Sequence, residues 1–205
     1  MSRLTARALE TQEEIDEARI LLHEVYMDEM KWTPDPKNPS KLRTEFLKNQ
    51  SLLVDAFDSI SFWIGIFDGN KLIATHRHSP KLDGKFELEH YREMPEFLLT
   101  GKSIEMNRLA IHRDYRKNSP AFLMIVAADY EFLGGKLYDF AFSTAEFPNP
   151  GEMYCKVGMK RADINPFKYS DADPNEVSLI YFDFRNREEM DRYISIATRV
   201  IKRFK

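Results

Sequence analysis

Residues 107–126 read NRLAIHRDYRKNSPAFLMIV, and this stretch decides the fold. Leu109, Ala110 and Ile111 end an apolar run that begins at Ile104 and has the length and character of a strand. Arg113, Arg116 and Lys117 follow. From Ser119 to Leu133 the apolar residues fall at helical spacing, and Gly134-Gly135 closes the pattern. A strand therefore feeds a helix through a basic loop. A helix start presents unpaired amides and the positive end of its dipole, a ready site for a phosphate, and these cations would add to it.

Working outward toward the N-terminus, Arg3 to Leu9 reads as a short strand. Thr11-x-x-Glu14 is a capping box that opens a helix to about Met30, with Ile15, Ala18, Leu22, Val25 and Tyr26 on one face. Pro34, Pro36 and Pro39 form a stiff connector, and Lys41 to Gln50 reads as a second, short helix. Ser61 to Phe67 and Lys71 to His78 are strands joined by the turn Asp68-Gly69-Asn70, which makes a hairpin. Within Tyr91 to Leu99 a helical turn is expected, kept short by Pro95.

Toward the C-terminus, Leu137 to Ser143 is a strand. Pro148 and Pro150 bracket a turn before a short helix, Gly151 to Val157. Val177 to Phe184 is a further strand, and Arg187 to Phe204 an amphipathic helix with Met190, Ile194, Ala197 and Ile201 on one side. The order β-α-α-β-β-β-α-β-α-β-α predicts an α/β (α+β) fold, a mixed sheet with helices on its faces. With no repeat or linker, residues 1–205 are expected to form one domain.

Composition narrows the function. Thirty Lys and Arg stand against 33 Asp and Glu, so no basic surplus points to nucleic acid. At 43% apolar the chain suits a folded globule. Apolar runs such as Phe122 to Ala128 are far shorter than the roughly 20 residues of a bilayer span. Met1 to Thr11 is charged and lacks a signal-peptide core, which predicts a cytoplasmic protein. The single cysteine, Cys155, excludes an internal disulfide and a cysteine-rich zinc site. His76 and His78 share a strand face, but neither Cys nor a carboxylate is placed beside them by the sequence, so no metal is expected.

Charged residues recur at suggestive spacing: Asp55-x-x-Asp58 before the hairpin, Arg77 at its end, Glu105-x-x-Arg108 on the next strand. On a regular strand Glu105 and Arg108 face opposite ways, and a bulge would bring them together. The carboxylates would attract an ammonium, and Arg77 or Arg108 could hold a carboxylate through two bonds. A structural ion-pair network is the plain alternative.

These residues carry a resemblance. Arg116-x-x-Ser119-x-Ala121 resembles the phosphate loop of the GNAT acyltransferase superfamily, and Tyr154-Cys155-Lys156-Val157-Gly158-Met159 is similar to its late Tyr-x-Lys-x-Gly-Phe segment. The charged pattern, with Tyr26 and Trp32 upstream, resembles the LuxI-type acyl-homoserine-lactone synthases and the long-chain N-acyl amino acid synthases over most of Leu21 to Gly158. The resemblance implies a mostly antiparallel sheet splayed at its central strands. It assigns the donor's phosphate arm to Ile111, Arg113, Arg116, Lys117, Ser119 and Ala121. It places the acceptor amine among Trp32, Asp55, Asp58, Arg77 and Arg108. Glu105 is then the general base, and Tyr154 the acid that protonates the leaving thiolate. Phe122, Phe140 and Phe142 are candidates for an acyl tunnel.

Departures qualify the donor and acceptor. Ser119 stands where the family has Gly, and Pro120 removes an amide, which favours the single phosphodiester of a protein-bound pantetheine over the pyrophosphate of coenzyme A. Leu22 and Leu53 replace an Arg and an acidic residue of the autoinducer synthases, which weakens the case for S-adenosylmethionine as amine donor. The implied reaction is N-acyl transfer from acyl-CoA or acyl-phosphopantetheine, carried by an acyl carrier protein, to a small-molecule amine by a monomer or homodimer. The alternatives are a short-chain CoA-dependent N-acetyltransferase and a catalytically silent binding module of the same fold.

Overall fold

A computed structural model describes residues 4–117, 120–134, 137–162, 164–171 and 173–202. Strand β1 (Leu4–Ala8) leads into helix α1 (Gln12–His23). The Thr11 hydroxyl accepts from the Glu14 amide and the Glu14 carboxylate from the Thr11 amide, so the capping box forms. The helical path reaches toward Met30 as expected, but Glu24–Glu29 widens into a π-helical turn.

Strands β2 (Arg43–Leu47) and β3 (Gln50–Val54) form an antiparallel hairpin in place of the helix expected over Lys41 to Gln50. Lys48 and Asn49 both take positive φ, 47° and 68°, and make the two-residue turn that hairpins favour. Every β2 residue is exposed, so no buried face stamps a period of two on that sequence. Strands β4 (Phe62–Asp68) and β5 (Lys71–Ser79) form the expected hairpin. Short helix α2 (Glu96–Thr100), strand β6 (Ser103–Ile111) and helix α3 (Ala121–Leu133) follow. Strand β7 (Phe140–Glu146) starts later than expected because Leu137 is 63% exposed and has no core to enter. Helix α4 (Gly151–Lys156), the two-residue strand β8 (Lys160–Arg161), strand β9 (Val177–Asp183) and helix α5 (Arg187–Lys202) complete the described chain.

Seven strands form one sheet in the order β1-β4-β5-β6-β7-β9-β8, antiparallel except for the β6–β7 pair. Alternation along β4 sorts the two faces. Trp63 and Phe67 pack with Ala18, Leu21 and Leu22 of α1. Ile64 and Ile66 belong to the opposite layer, and Ile66 packs with Ala121 and Ile125 of α3, which α5 in turn covers.

Two irregularities in β6 position the site. First, the register against β5 shifts between Thr75↔Ala110 and Arg77↔Asn107, which inserts one extra residue in β6. Arg108 sits there at φ 54°. Second, β6 and β7 pair only at Ser103↔Phe140, Ile104↔Ala141 and Glu105↔Phe142, then part. The splay and the bulge expected of the central strand are both present.

Candidate functional site

Arg77 is fully buried and is the centre of a charge cluster. Its Nη1 lies 2.6 Å from both Asp55 Oδ1 and Asp58 Oδ1, its Nη2 3.3 Å from Glu87 Oε2, and its Nε donates to Asn107 Oδ1 at 2.8 Å. Arg108 donates from Nη2 to Asp55 Oδ2 at 2.8 Å and to Glu87 Oε1 at 2.6 Å. Arg19 Nε stands 3.2 Å from Asp58 Oδ2. The bulge thus turns Arg108 toward the same group as Arg77. The five residues predicted from spacing, Asp55, Asp58, Arg77, Glu105 and Arg108, do converge. Arg77 spends its donors within the protein, so the expectation that it presents them to a substrate carboxylate is corrected. Arg108 keeps some exposure, its side chain at 14%.

Glu105 differs from its neighbours. Among the described residues it makes no ion pair, and its Oε2 accepts only the Leu88 amide at 3.2 Å. Burial, reinforced by the Glu87 carboxylate, pushes its carboxyl up to about 8. Asp55 is held down to about 2, because Arg77 and Arg108 overcome its own burial. The remaining carboxylates, Asp55, Asp58 and Glu87 with Asp16 on Arg19, already outnumber the guanidiniums of Arg19, Arg77 and Arg108. Glu105 is therefore the acid left without a counter-charge.

Trp32 is half-buried against Tyr26, ring centroids 6.0 Å apart, and its Nε1 donates to Asp173 Oδ1 at 3.3 Å. The Tyr26 hydroxyl donates to the Leu109 carbonyl beside the bulge at 3.1 Å. Sequence reasoning missed Arg19, Glu87, Asn107 and Asp173. Glu87 lies in a stretch with no hydrophobic period, so nothing local marked it.

The basic loop is already engaged. Arg116 Nη2 lies 2.6 Å from Glu29 Oε2, and Arg113 Nε 3.3 Å from Glu29 Oε1. Arg116 Nε also donates to the Ile111 carbonyl at 2.8 Å. Lys117 is exposed and Ala121 is buried in the first turn of α3. Ser119 lies outside the described residues.

On the α3 side of the sheet, a cavity of about 10 Å³ lies where β6 and β7 part, lined among others by His76, Met106, Phe122, Asp129, Ser143 and Tyr154. Tyr154 packs edge-on against Phe122, and burial pushes its phenol well above the ordinary range. Of the expected tunnel aromatics only Phe122 reaches this cavity. Phe140 and Phe142 are corrected to the opposite face, where they pack with Phe86 and Leu98.

Asp129 was unforeseen. It is buried on α3 and receives His76 Nδ1 at 3.1 Å and His78 Nε2 at 2.9 Å. An acidic residue within the apolar run of α3 was the available signal. The donor atoms lie within 4.8 Å of one another. Both imidazoles spend a nitrogen on the same carboxylate at hydrogen-bond distance, and His78 Nδ1 is buried with no hydrogen-bond partner among the described residues.

No protein-family model matches this chain and no curated protein matches it in sequence. Solved structures do. BjaI, described as a CoA-dependent acyl-homoserine lactone synthase with SAM and isopentyl-CoA, superposes with a TM-score of 0.70 at 15% identity, over 95% of this chain and 90% of that one. The chain shares the fold of that structure. The acyl-homoserine lactone synthase LasI gives 0.61 at 13% identity, over 90% of this chain and 91% of that one. FeeM, an N-acyl amino acid synthase from uncultured soil microbes, gives 0.59 at 13% identity, over 91% and 93%. The synthase fold matches the expected architecture, the splayed mixed sheet included. At these identities the likeness is one of fold. No helix among the described residues is long and apolar enough to cross a membrane.

Proposed function

We propose that this chain is an N-acyltransferase that moves an acyl group from a pantetheine thioester to the amine of an amino acid or similar small molecule. Residues 1–205 act as one domain in the cytoplasm. The observation that carries the reading is the wedge beyond Glu105↔Phe142, where two neighbouring strands stop pairing. Glu105 and Met106 alternate across the sheet, so Glu105 faces one side of the wedge and the Tyr154 cavity lies on the other. A thioester threaded through that gap meets an acid on one side and a base on the other. The names of BjaI, LasI and FeeM support the same chemistry.

In this reading the donor's carbonyl is polarised by a backbone amide of β6. The amine nitrogen attacks the thioester carbon, forming the C–N bond as the C–S bond breaks. Glu105 takes one proton of the ammonium, a task its raised carboxyl suits near neutral pH, and the second N–H proton, lost as the amide forms, leaves through water. Tyr154 gives its hydroxyl proton to the departing sulfur. Trp32, Asp55, Asp58 and Arg108 frame the acceptor side. Ile111, Arg113, Arg116, Lys117, Ser119 and Ala121 carry the phosphate arm, whose anion displaces Glu29 from the arginines. An acyl carrier protein is the donor's carrier in the long-chain case, and acyl-CoA in the short-chain case. The narrowness of the cavity favours a short acyl group as the second reading.

A thiol-release assay with acetyl- and palmitoyl-thioesters on CoA and on acyl carrier protein, across a panel of amino acids, tests this. Release from palmitoyl donors with an N-acyl product in the mass spectrum supports long-chain transfer. Release from acetyl-CoA alone supports the second reading. No release from any pair overturns both and leaves a binding module.

A further inference from the structure

In the acyl-transfer reading the Tyr154 phenol has given its proton away at the end of each turnover, and it stands in an apolar wall. Phe122, Met106, Ile125, Val126 and Phe182 surround the cavity it borders. No hydrogen-bond partner for its hydroxyl is seen among the described residues. The polar groups lining that cavity with it are His76, Asp129 and Ser143. At about 10 Å³ the space matches the centre of a single water, and such a site holds one when two or more polar groups face it.

His76 is oriented from behind. Asp129 receives its Nδ1, which fixes the ring and leaves Nε2 as the free nitrogen. His78 gives Asp129 a second bond through Nε2, and burial lowers its pKa, so it serves as a neutral donor. The titratable groups around His76 are thus His78 on its own strand, Asp129 on α3 and Tyr154 on α4, with Tyr26 near Tyr154. Among the described residues no Lys or Arg pairs with Asp129.

Resting on the acyl-transfer reading, we propose that His76, held by Asp129, is a positioning and proton-returning residue that restores Tyr154 through one water in this cavity. After Tyr154 protonates the thiolate, the tyrosinate takes a proton from the water as the water takes one from Nε2 of the imidazolium. The Nδ1 proton stays on Asp129's side, and the neutral ring is recharged from solvent when product leaves. No oxidant or metal takes part. In balance the ammonium loses two protons, one through Glu105 and one to water, and the thiol gains one that solvent supplies through His76 and Tyr154.

The test uses the full chain with whichever donor and amine the thiol-release assay selects, in His76→Gln, Asp129→Asn, Tyr154→Phe and the His76→Gln/Tyr154→Phe pair, each checked by thermal melting. With an alkyl thioester, His76→Gln is expected to lower kcat about 10- to 100-fold with KM little changed. It should also abolish a limb of the pH profile of kcat that falls with rising pH. With a thioester whose leaving thiol is strongly acidic, such as a nitrothiobenzoate, no proton is needed, and His76→Gln and Tyr154→Phe should both recover to near wild type. The double variant should be no slower than Tyr154→Phe. If His76→Gln fails to fold, Asp129→Asn carries the same expectations. Equal losses with both leaving groups, an unchanged pH limb, or stoichiometric metal in the purified protein would overturn the relay while leaving acyl transfer standing. A wild-type chain that releases no thiol removes the acyl-transfer reading and this inference together.

Discussion

Glu105 and Arg77 belong to one buried charge cluster but differ in how far their polar atoms are already paired. Arg77 is locked to Asp55, Asp58, Glu87 and Asn107, and its guanidinium also faces the Trp63 ring with 5.6 Å to the centroid. Arg77→Ala removes the buried central charge and leaves Asp55, Asp58 and Glu87 with only Arg108 and Arg19 to balance them. It should cost about 3–5 kcal/mol, read as a large drop in the urea midpoint. Glu105 has no such partner. Its carboxyl, raised to about 8, stays protonated in the folded state at pH values where the unfolded chain has lost the proton. The folded state then binds more protons between the ordinary carboxyl range and about 8, so stability falls as pH rises through that window. Glu105→Gln should remove that slope, about 1.4 kcal/mol per pH unit at most, in denaturation curves between pH 5 and 8. The same variant should lower kcat by about two orders of magnitude if Glu105 is the base, and erase the ascending limb of the rate profile. A variant that keeps wild-type turnover removes that role.

At the level of elements, Gly158 shows how a single position holds two helices against the sheet. It follows α4 at φ 107°, and a Cβ there would stand 2.5 Å from both the Tyr130 hydroxyl and the Tyr193 ring. Tyr130 OH in turn donates to the Val157 carbonyl at 2.9 Å. Gly158→Ala should therefore destabilise by about 1–3 kcal/mol through strain and displaced aromatics, visible as a lower melting temperature. Such elements were legible from the sequence. The capping box, the Asp68-Gly69-Asn70 turn and the β6-loop-α3 stretch each carry a local signal that agrees with where the chain goes. The β2–β3 hairpin was not legible, because its first strand is wholly exposed and its turn, Lys48-Asn49, lacks the glycine that usually marks one. In the candidate site, the acidic pairs and arginines could be read from their spacing. Glu87 could not, since it reaches its partners only through long-range packing, and Asp129 showed only as an acid within an apolar helix, its histidine partners lying about fifty residues away in sequence.

Across the whole molecule, the gap between β6 and β7 is open in its backbone but nearly filled by side chains, with only about 10 Å³ remaining. A donor arm must therefore move those side chains to enter. Hydrogen exchange with a non-hydrolysable acyl-thioester analogue should show protection gained over residues 106–111 and 143–146, with β1 and β4 unchanged. Uniform protection across the sheet, or none, would argue against entry at this place. The charge cluster on one face and the histidine-aspartate group on the other explain why polar residues occupy the centre of an otherwise apolar sheet. They converge on the point where strand pairing ends.

The short parallel seam has a mechanical corollary. Among the described residues, the β6–β7 ladder that joins the N-terminal strands to the C-terminal ones is three pairs long, at Ser103, Ile104 and Glu105, with Lys102 bonded to Asp139 and Phe140 at its start. If the chain were stretched between residues on β4 and β9, rupture should begin at this join, at low force, before either half unravels. An occupied gap would act there like a peg through two boards, and the breaking force should rise with the length of the acyl chain it holds.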